Sequence, residues 1–158
     1  MPTASPTEQP TATAAGDGLD ETAEPNFGTL ELTSGFVPDP QTKEIISGGS
    51  VDASYLGGQC RGYATRAPDY AVEYEVETGF VTLLRFYFEG AGDTTLIINS
   101  PSGAWLCNDD SYDTVSPTVD VDDPVSGRYD IWIGSYVSGQ TVLGTLSITE
   151  LDSNHPTQ

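Results

Sequence analysis

The stretch that decides the fold is DTTLIINSPSGAWLCNDD, residues 93–110. Thr95, Ile97 and Asn99 alternate with Thr94, Leu96 and Ile98, the pattern of a strand covered on both faces. Asn99-Ser100-Pro101-Ser102-Gly103 breaks the run, because proline donates nothing to a ladder and glycine accepts positive φ. Residues 104–107 return as a second strand carrying Trp105 and Cys107, and run straight into Asn108-Asp109-Asp110. The reading is one β-hairpin ending in a knot of side-chain oxygens. Such a knot either holds a cation or carries a large local repulsion.

The flanking sequence repeats the strand signal. Upstream, residues 80–88 (FVTLLRFYF) place Leu84, Phe86 and Phe88 on one face and Leu83, Arg85 and Tyr87 on the other. Residues 71–76 alternate Val72, Tyr74 and Val76 with glutamates, and residues 28–33 (GTLELT) alternate Leu30 and Leu32 with polar neighbours. Residues 43–54 hold two short apolar patches split by Gly48-Gly49. Downstream, residues 115–121 give a weaker strand interrupted by Pro117. Residues 128–136 (RYDIWIGSY) set Tyr129, Ile131 and Ile133 against Trp132, and residues 142–148 close the set. Glycine, proline and aspartate turns separate these runs, and no amphipathic helix is legible. The expectation is all-β: a single β-sandwich or jelly roll of about eight short antiparallel strands.

Domain limits follow from composition. Residues 1–26 are rich in Thr, Pro, Ala and acid, with prolines at 2, 6, 10 and 25, and read as an extended linker or stalk. Residues 27–151 form the sandwich domain, and residues 152–158 are a C-terminal tail holding the single histidine, His155. Five basic residues face 24 acidic ones, a formal charge of -19. That surface repels nucleic-acid phosphates and anionic headgroups, so neither is an expected partner. No apolar run is long enough to span a bilayer. Met1 is followed at once by Pro-Thr-Ala-Ser-Pro, so no signal peptide is visible, and the leader of an exported protein is expected to lie outside this sequence.

Two cysteines, Cys60 and Cys107, lie far apart with no CxxC pair and no nearby histidine. One disulfide in an oxidising compartment is the simplest reading; two buried thiols in a reducing one is the alternative. A bridge would close a loop of about 47 residues, worth roughly 3–4 kcal/mol in the chain-entropy treatment.

The acidic turn is the candidate metal site. Asn108, Asp109, Asp110 and Asp113 supply oxygens within six residues, and Asp93 joins them if it starts the paired strand. Calcium takes six to eight such ligands in flexible loops. The competing reading is an Asx-rich turn whose side chains bond their own backbone. Asp120, Asp122 and Asp123 read as a solvated strand edge that discourages edge-to-edge pairing. Tyr112 and Tyr136 lie in turn-like stretches and form a possible platform for sugar or peptide, against plain rim packing. With its one histidine near the end of the chain, a Ser-His-Asp or Cys-His arrangement lacks a base, and zinc lacks paired ligands.

A set of motifs resembles the pre-peptidase C-terminal type of small β-sandwich, found on secreted bacterial proteins. It comprises Gly62-Tyr63 with Ala67-Pro68-Asp69-Tyr70, then Gly92-Asp93-Thr94-Thr95-Leu96 with Pro101-Ser102-Gly103, then Asn108-Asp109-Asp110-Ser111, and finally residues 127–136 (GRYDIWIGSY). The resemblance spans roughly residues 60–150 and implies an accessory module at or outside the cell envelope, without catalysis of its own. Some relatives bind calcium and some bind polymers such as collagen. The acidic turn is more acidic here than in the basic pattern, so the metal expectation rests mainly on this sequence.

The expected function is thus a non-catalytic, secreted or cell-surface binding or spacing module, stabilised by the Cys60–Cys107 bridge and by calcium. Its partner would be a protein or polysaccharide, or further copies of itself. The rival is a structural subunit whose N-terminal segment adds to a neighbour's sheet edge. A polysaccharide hydrolase using two carboxylates ranks third.

Overall fold

The computed structural model describes residues 18–77 and 81–157. Within them the chain forms β1 (Thr29–Thr33), β2 (Gln41–Ile46), β3 (Val51–Asp52), β4 (Tyr63–Ala64), β5 (Tyr70–Glu75), β6 (Leu83–Gly90), β7 (Thr94–Asn99), β8 (Trp105–Asn108), β9 (Thr118–Asp122), β10 (Gly127–Ser135) and β11 (Leu143–Thr149). One 3-10 turn, Ala53–Leu56, follows β3, its first turn capped by the Asp52 carboxylate, which accepts the Ser54 N–H. Residues 78–80, the start of the expected strand 80–88 among them, lie outside the described residues.

Two sheets pack as a β-sandwich. The four-stranded sheet runs β9-β6-β11-β2. In the seven-stranded sheet β10 is central, with β7 and then β8 on one side, and β5 and β4 sharing the other. β1 extends the sheet beyond β5, and β3 beyond β4. The expected hairpin is present, with Asn99 opposite Trp105 and Leu96 opposite Asn108. One pairing departs from the antiparallel expectation: β1 runs parallel to β5. The segment before it determines this, because the Asn26 and Phe27 N–H groups dock on the Pro68 and Asp69 carbonyls and deliver the chain beside the start of β5. β3 and β4 are too short to show a period in the sequence.

The alternation read from sequence is the alternation of burial. Leu84, Phe86 and Phe88 meet Tyr129, Ile131, Ile133, Leu96 and Ile98 between the sheets. Trp132 and Ile97 face the other way and build a second cluster with Leu19, Ala53 and Ala64, against which Trp105 and Cys107 pack. Burying a side chain of this size contributes about 1.5–3 kcal/mol. The Cys60–Cys107 disulfide fastens β8 to the loop that precedes β4.

Each sheet's outer face is covered by a terminal segment. Residues 18–26 lie on the seven-stranded sheet, with Leu19 buried, Asp20 paired to Arg66, and Asn26 bonded to Asp69. Residues 150–157 lie on the four-stranded sheet, held by Arg85. This guanidinium, only 2% exposed, forks onto Asp120 at 2.6 and 3.0 Å and donates to the Asp152 and Asn154 carbonyls. Asp120 and Asp122 do sit on an edge strand, β9, but Asp120 is engaged in this pair rather than simply solvated. A buried charge persists only when paired in this way.

Close approach between β4, β7 and β10 depends on two glycines. A Cβ placed on Gly62 or on Gly134 would overlap the Thr95 hydroxyl that lies between them. Gly134→Ala should therefore cost about 1–3 kcal/mol through overpacking. Adding Thr95→Ala should recover most of that loss in urea unfolding. Additive penalties in the double variant would show that the contact is not the cause.

Candidate functional site

The end of the β7–β8 hairpin gathers the acidic residues. The ladder's last pair is Leu96 with Asn108, so Asp93, Thr94 and Thr95 on one strand and Asp109 and Asp110 on the other leave it at the same end. Burial first, and then the Asp110 and Asp109 carboxylates, push the Asp93 carboxyl above its ordinary value. Those three acids therefore share one field. Arg61 approaches from the disulfide loop, its Nε 4.0 Å from Asp109, too far and too exposed to neutralise the group by itself.

Three buried side-chain oxygens lack a hydrogen-bond partner among the described residues: Asp93 Oδ1, Thr94 Oγ1 and Thr95 Oγ1. They are consecutive in sequence and sit at this same end. Buried polar atoms are satisfied in the great majority of cases, by protein, water or ion. Thr94 and Thr95 are each 1% exposed, so bulk solvent does not reach their hydroxyls. As neighbours on a strand they project to opposite faces, so one ion at the hairpin end would use Asp93 with one of the two, not both. Among the described residues no three carboxylate, imidazole or thiol side chains already converge as a ligand set. The orphaned oxygens and clustered carboxylates nonetheless have the hard-oxygen chemistry that calcium takes.

The other predicted ligands are placed differently. Asn108 Oδ1 accepts the Thr118 N–H at 2.9 Å and so joins edge strand β8 to edge strand β9. Asp113 and Tyr112, at φ 59° and 51°, form the centre of a two-residue loop closed by the reciprocal Ser111 and Thr114 bonds. Positive φ at both central residues is the type I′ turn, which asparagine, aspartate and glycine tolerate best. Asp113 therefore serves this turn.

The two tyrosines of the expected platform occupy separate surroundings. Tyr136 lines an open groove of about 470 Å³ with Asp52, Ser54, Arg61, Gly62 and Tyr63, and its N–H donates to the Asp93 carbonyl. Tyr112 stacks on His155 with ring centroids 4.3 Å apart, and the Arg85 guanidinium lies 5.4 Å from its centroid. The histidine expected in a tail is thus seated on the domain.

Sequence reasoning did not mark Asp69 as a site, yet it is 1% exposed. Its Oδ2 accepts the Ile133 N–H and its Oδ1 the Asn26 amide, so the carboxyl bridges the gap in the ladder between β4 and β5. The only local signal was Pro68 before it, which cannot donate at that gap. The chain matches no family model and no curated protein.

Burial drives the Asp69 carboxyl up to about 6, against the two hydrogen bonds that favour its ionised form. With an ordinary value of 3.8, the folded protein holds this proton more tightly than the unfolded chain does. The resulting stabilisation is complete below about pH 4 and is lost as pH rises through 6, roughly 3 kcal/mol in all. Asp69→Asn cannot ionise. Between pH 4 and 7, wild-type stability should therefore fall relative to the Asn variant in urea titrations; a difference that stays flat with pH would contradict the assignment.

Proposed function

We propose that this chain is a non-catalytic accessory module of a secreted or cell-surface protein, of the pre-peptidase C-terminal type. Its hairpin end binds calcium. The observation that carries the reading is the run of three orphaned oxygens, Asp93 to Thr95, beside carboxylates that raise the proton affinity of Asp93. One divalent cation would supply the partner missing from Asp93 and from one of the two threonine hydroxyls, and would offset the repulsion at once. Asp93, Asp109 and Asp110 are the side chains that would hold it, with a threonine hydroxyl and nearby carbonyls completing the shell. The ion's chemistry here is structural: it would tie the start of β7 to the end of β8 and fix the wall behind the Tyr136 groove.

That groove is where a polymer ligand would lie. Tyr63 and Tyr136 offer flat apolar faces, and Arg61, Asp52 and Ser54 offer polar contacts, a combination suited to a glycan or an extended peptide. The disulfide suits an oxidising environment, and the surplus of acidic groups keeps the module soluble there.

Calorimetry tests the cation directly. In millimolar calcium, after excess chelator, the melting temperature should rise, because an ion that prefers the folded form stabilises it. An Asp93→Asn/Asp109→Asn/Asp110→Asn variant should melt at one temperature with or without the ion. Equal melting of the wild-type protein in chelator and in calcium would end the proposal.

A further inference from the structure

The register of β7 decides which of the orphaned oxygens can act together. Paired residues of an antiparallel ladder project to the same face, and the faces alternate along a strand. Leu96 and Ile98 pair with Ile133 and Ile131 in the core between the sheets, whereas Ile97 pairs with Trp132 in the cluster on the outer face. Thr94, opposite Ser135, therefore lies on the core side, and Thr95, opposite Gly134, on the outer side. The Tyr136 N–H donates to the Asp93 carbonyl and carries the ladder one pair further, so Asp93 and Tyr136 also belong to the outer side. Asp93 Oδ1 and Thr95 Oγ1, both buried and without a partner among the described residues, thus share a face. Thr94 Oγ1 is on the other.

The second strand of the hairpin brings a carboxylate to the same face. Cys107 pairs with Ile97 and packs on the outer cluster, and Asp109 follows it by two residues. Arg61, next to the bridged Cys60, places its Nε 4.0 Å from Asp109.

This face also borders the Tyr136 groove. Three of its lining residues each meet one of the three oxygen donors. Arg61 approaches Asp109, Gly62 packs on the Thr95 hydroxyl, and the Tyr136 N–H bonds the Asp93 carbonyl. A cation held by Asp93, Thr95 and Asp109 would therefore stand against the groove. With one oxygen from each of these and one from Asp110, about two to four positions of a calcium shell remain for carbonyls and for a ligand.

Charge and the sheet edge select the ligand. Twenty-four acidic residues against five basic ones set up a field that repels anions. An extended peptide is gripped through its backbone by a strand edge. β3, whose Asp52 lines the groove, is the outer strand there among the described residues and is only two residues long. A neutral sugar needs neither a cationic field nor an edge. Its vicinal hydroxyls are hard oxygens able to chelate one cation, its apolar ring face covers an aromatic ring, and its other oxygens accept from a guanidinium. Tyr136, 44% exposed, and Arg61 supply those two contacts.

We propose that Asp93, Thr95 and Asp109 hold the cation on the groove side of the sheet, and that the groove's ligand is a neutral glycan. Two of its vicinal hydroxyls complete the ion's shell while the sugar ring stacks on Tyr136. This inference rests on the calcium reading of the hairpin end, and the experiment separates the two.

Calorimetric titration with calcium chloride alone comes first. Thr95→Val replaces the hydroxyl by a methyl of similar shape and should weaken calcium about tenfold, while Thr94→Val should leave it within about twofold. Equal effects, or the reverse order, would overturn the assignment. A wild-type protein that binds no calcium ends both readings. Terbium in place of calcium then reports the waters on the ion, from luminescence decay in H2O and D2O. Among neutral gluco-, manno-, galacto- and xylo-configured oligosaccharides, at least one should displace about two waters, one for each hydroxyl. Tyr136→Ala should weaken that sugar about tenfold and leave calcium affinity within about twofold. Three results overturn the glycan proposal and leave the cation standing. They are calcium binding with no oligosaccharide bound, a sugar bound with no water displaced, and retention of gelatin peptides in place of sugars.

Discussion

The structure depends on the enclosure of β10. Asp130 to Ser135 pair with β7 on one edge, Gly127 to Ile131 with β5 and Ser135 with β4 on the other, and from Tyr129 onward the side chains are buried. Tyr129, Ile131 and Ile133 form the floor of the sandwich core, while Trp132 anchors the cluster under residues 18–26. Every N–H and C=O of such a strand needs a partner, because no water reaches it. That requirement explains the least regular part of the fold. Where β5 ends and β4 has not begun, the edge of β10 would be left bare, and the Asp69 carboxylate and the Gly48 N–H take up the amide and carbonyl of Ile133. Burying a carboxyl is the cost of closing that gap without a strand.

The same constraint reaches the hairpin. β7 pairs with β10 along its length and with β8 as far as Leu96, and at its start Asp93 Oδ1 and the Thr94 and Thr95 hydroxyls are buried with no hydrogen-bond partner among the described residues. Gly62 and Gly134 make room for Thr95, and the disulfide keeps β8 in register beside Cys60. The acidic end is therefore a built feature of the fold rather than a loose loop. The Arg85 cluster on the opposite sheet shows the other solution to buried charge, a guanidinium saturated by Asp120 and the C-terminal carbonyls.

What the sequence discloses divides along a physical line. Positions governed by strand period were legible: Leu84, Phe86 and Phe88, Tyr129, Ile131 and Ile133, and the two strands of the hairpin all fall where alternation puts them. The pairing of Cys60 with Cys107 was legible from arithmetic, since there were only two cysteines to pair. The proximity of Asp93 to Asp109 and Asp110 followed from the hairpin itself. Contacts that no period marks were not legible. Arg85 meets Asp120 and Asp152 across 35 and 67 residues, and a single arginine in an apolar strand names no partner. The covering segments carry one buried side chain each, Leu19 and Pro156, too few to make a pattern. Nor does any local signal separate Asp113, which serves a type I′ turn, from Asp109 and Asp110 beside it.

The central claim is that the hairpin end is a cation site, and a calcium titration followed residue by residue in amide NMR spectra addresses it most directly. Saturable shifts reaching their limit near one equivalent, and confined to residues 93–95, 109–110 and the Asp93-bonded amide of Tyr136, are the predicted result. Shifts spread in proportion to ion concentration over all the acidic surface, with no saturation at the hairpin end, would contradict it.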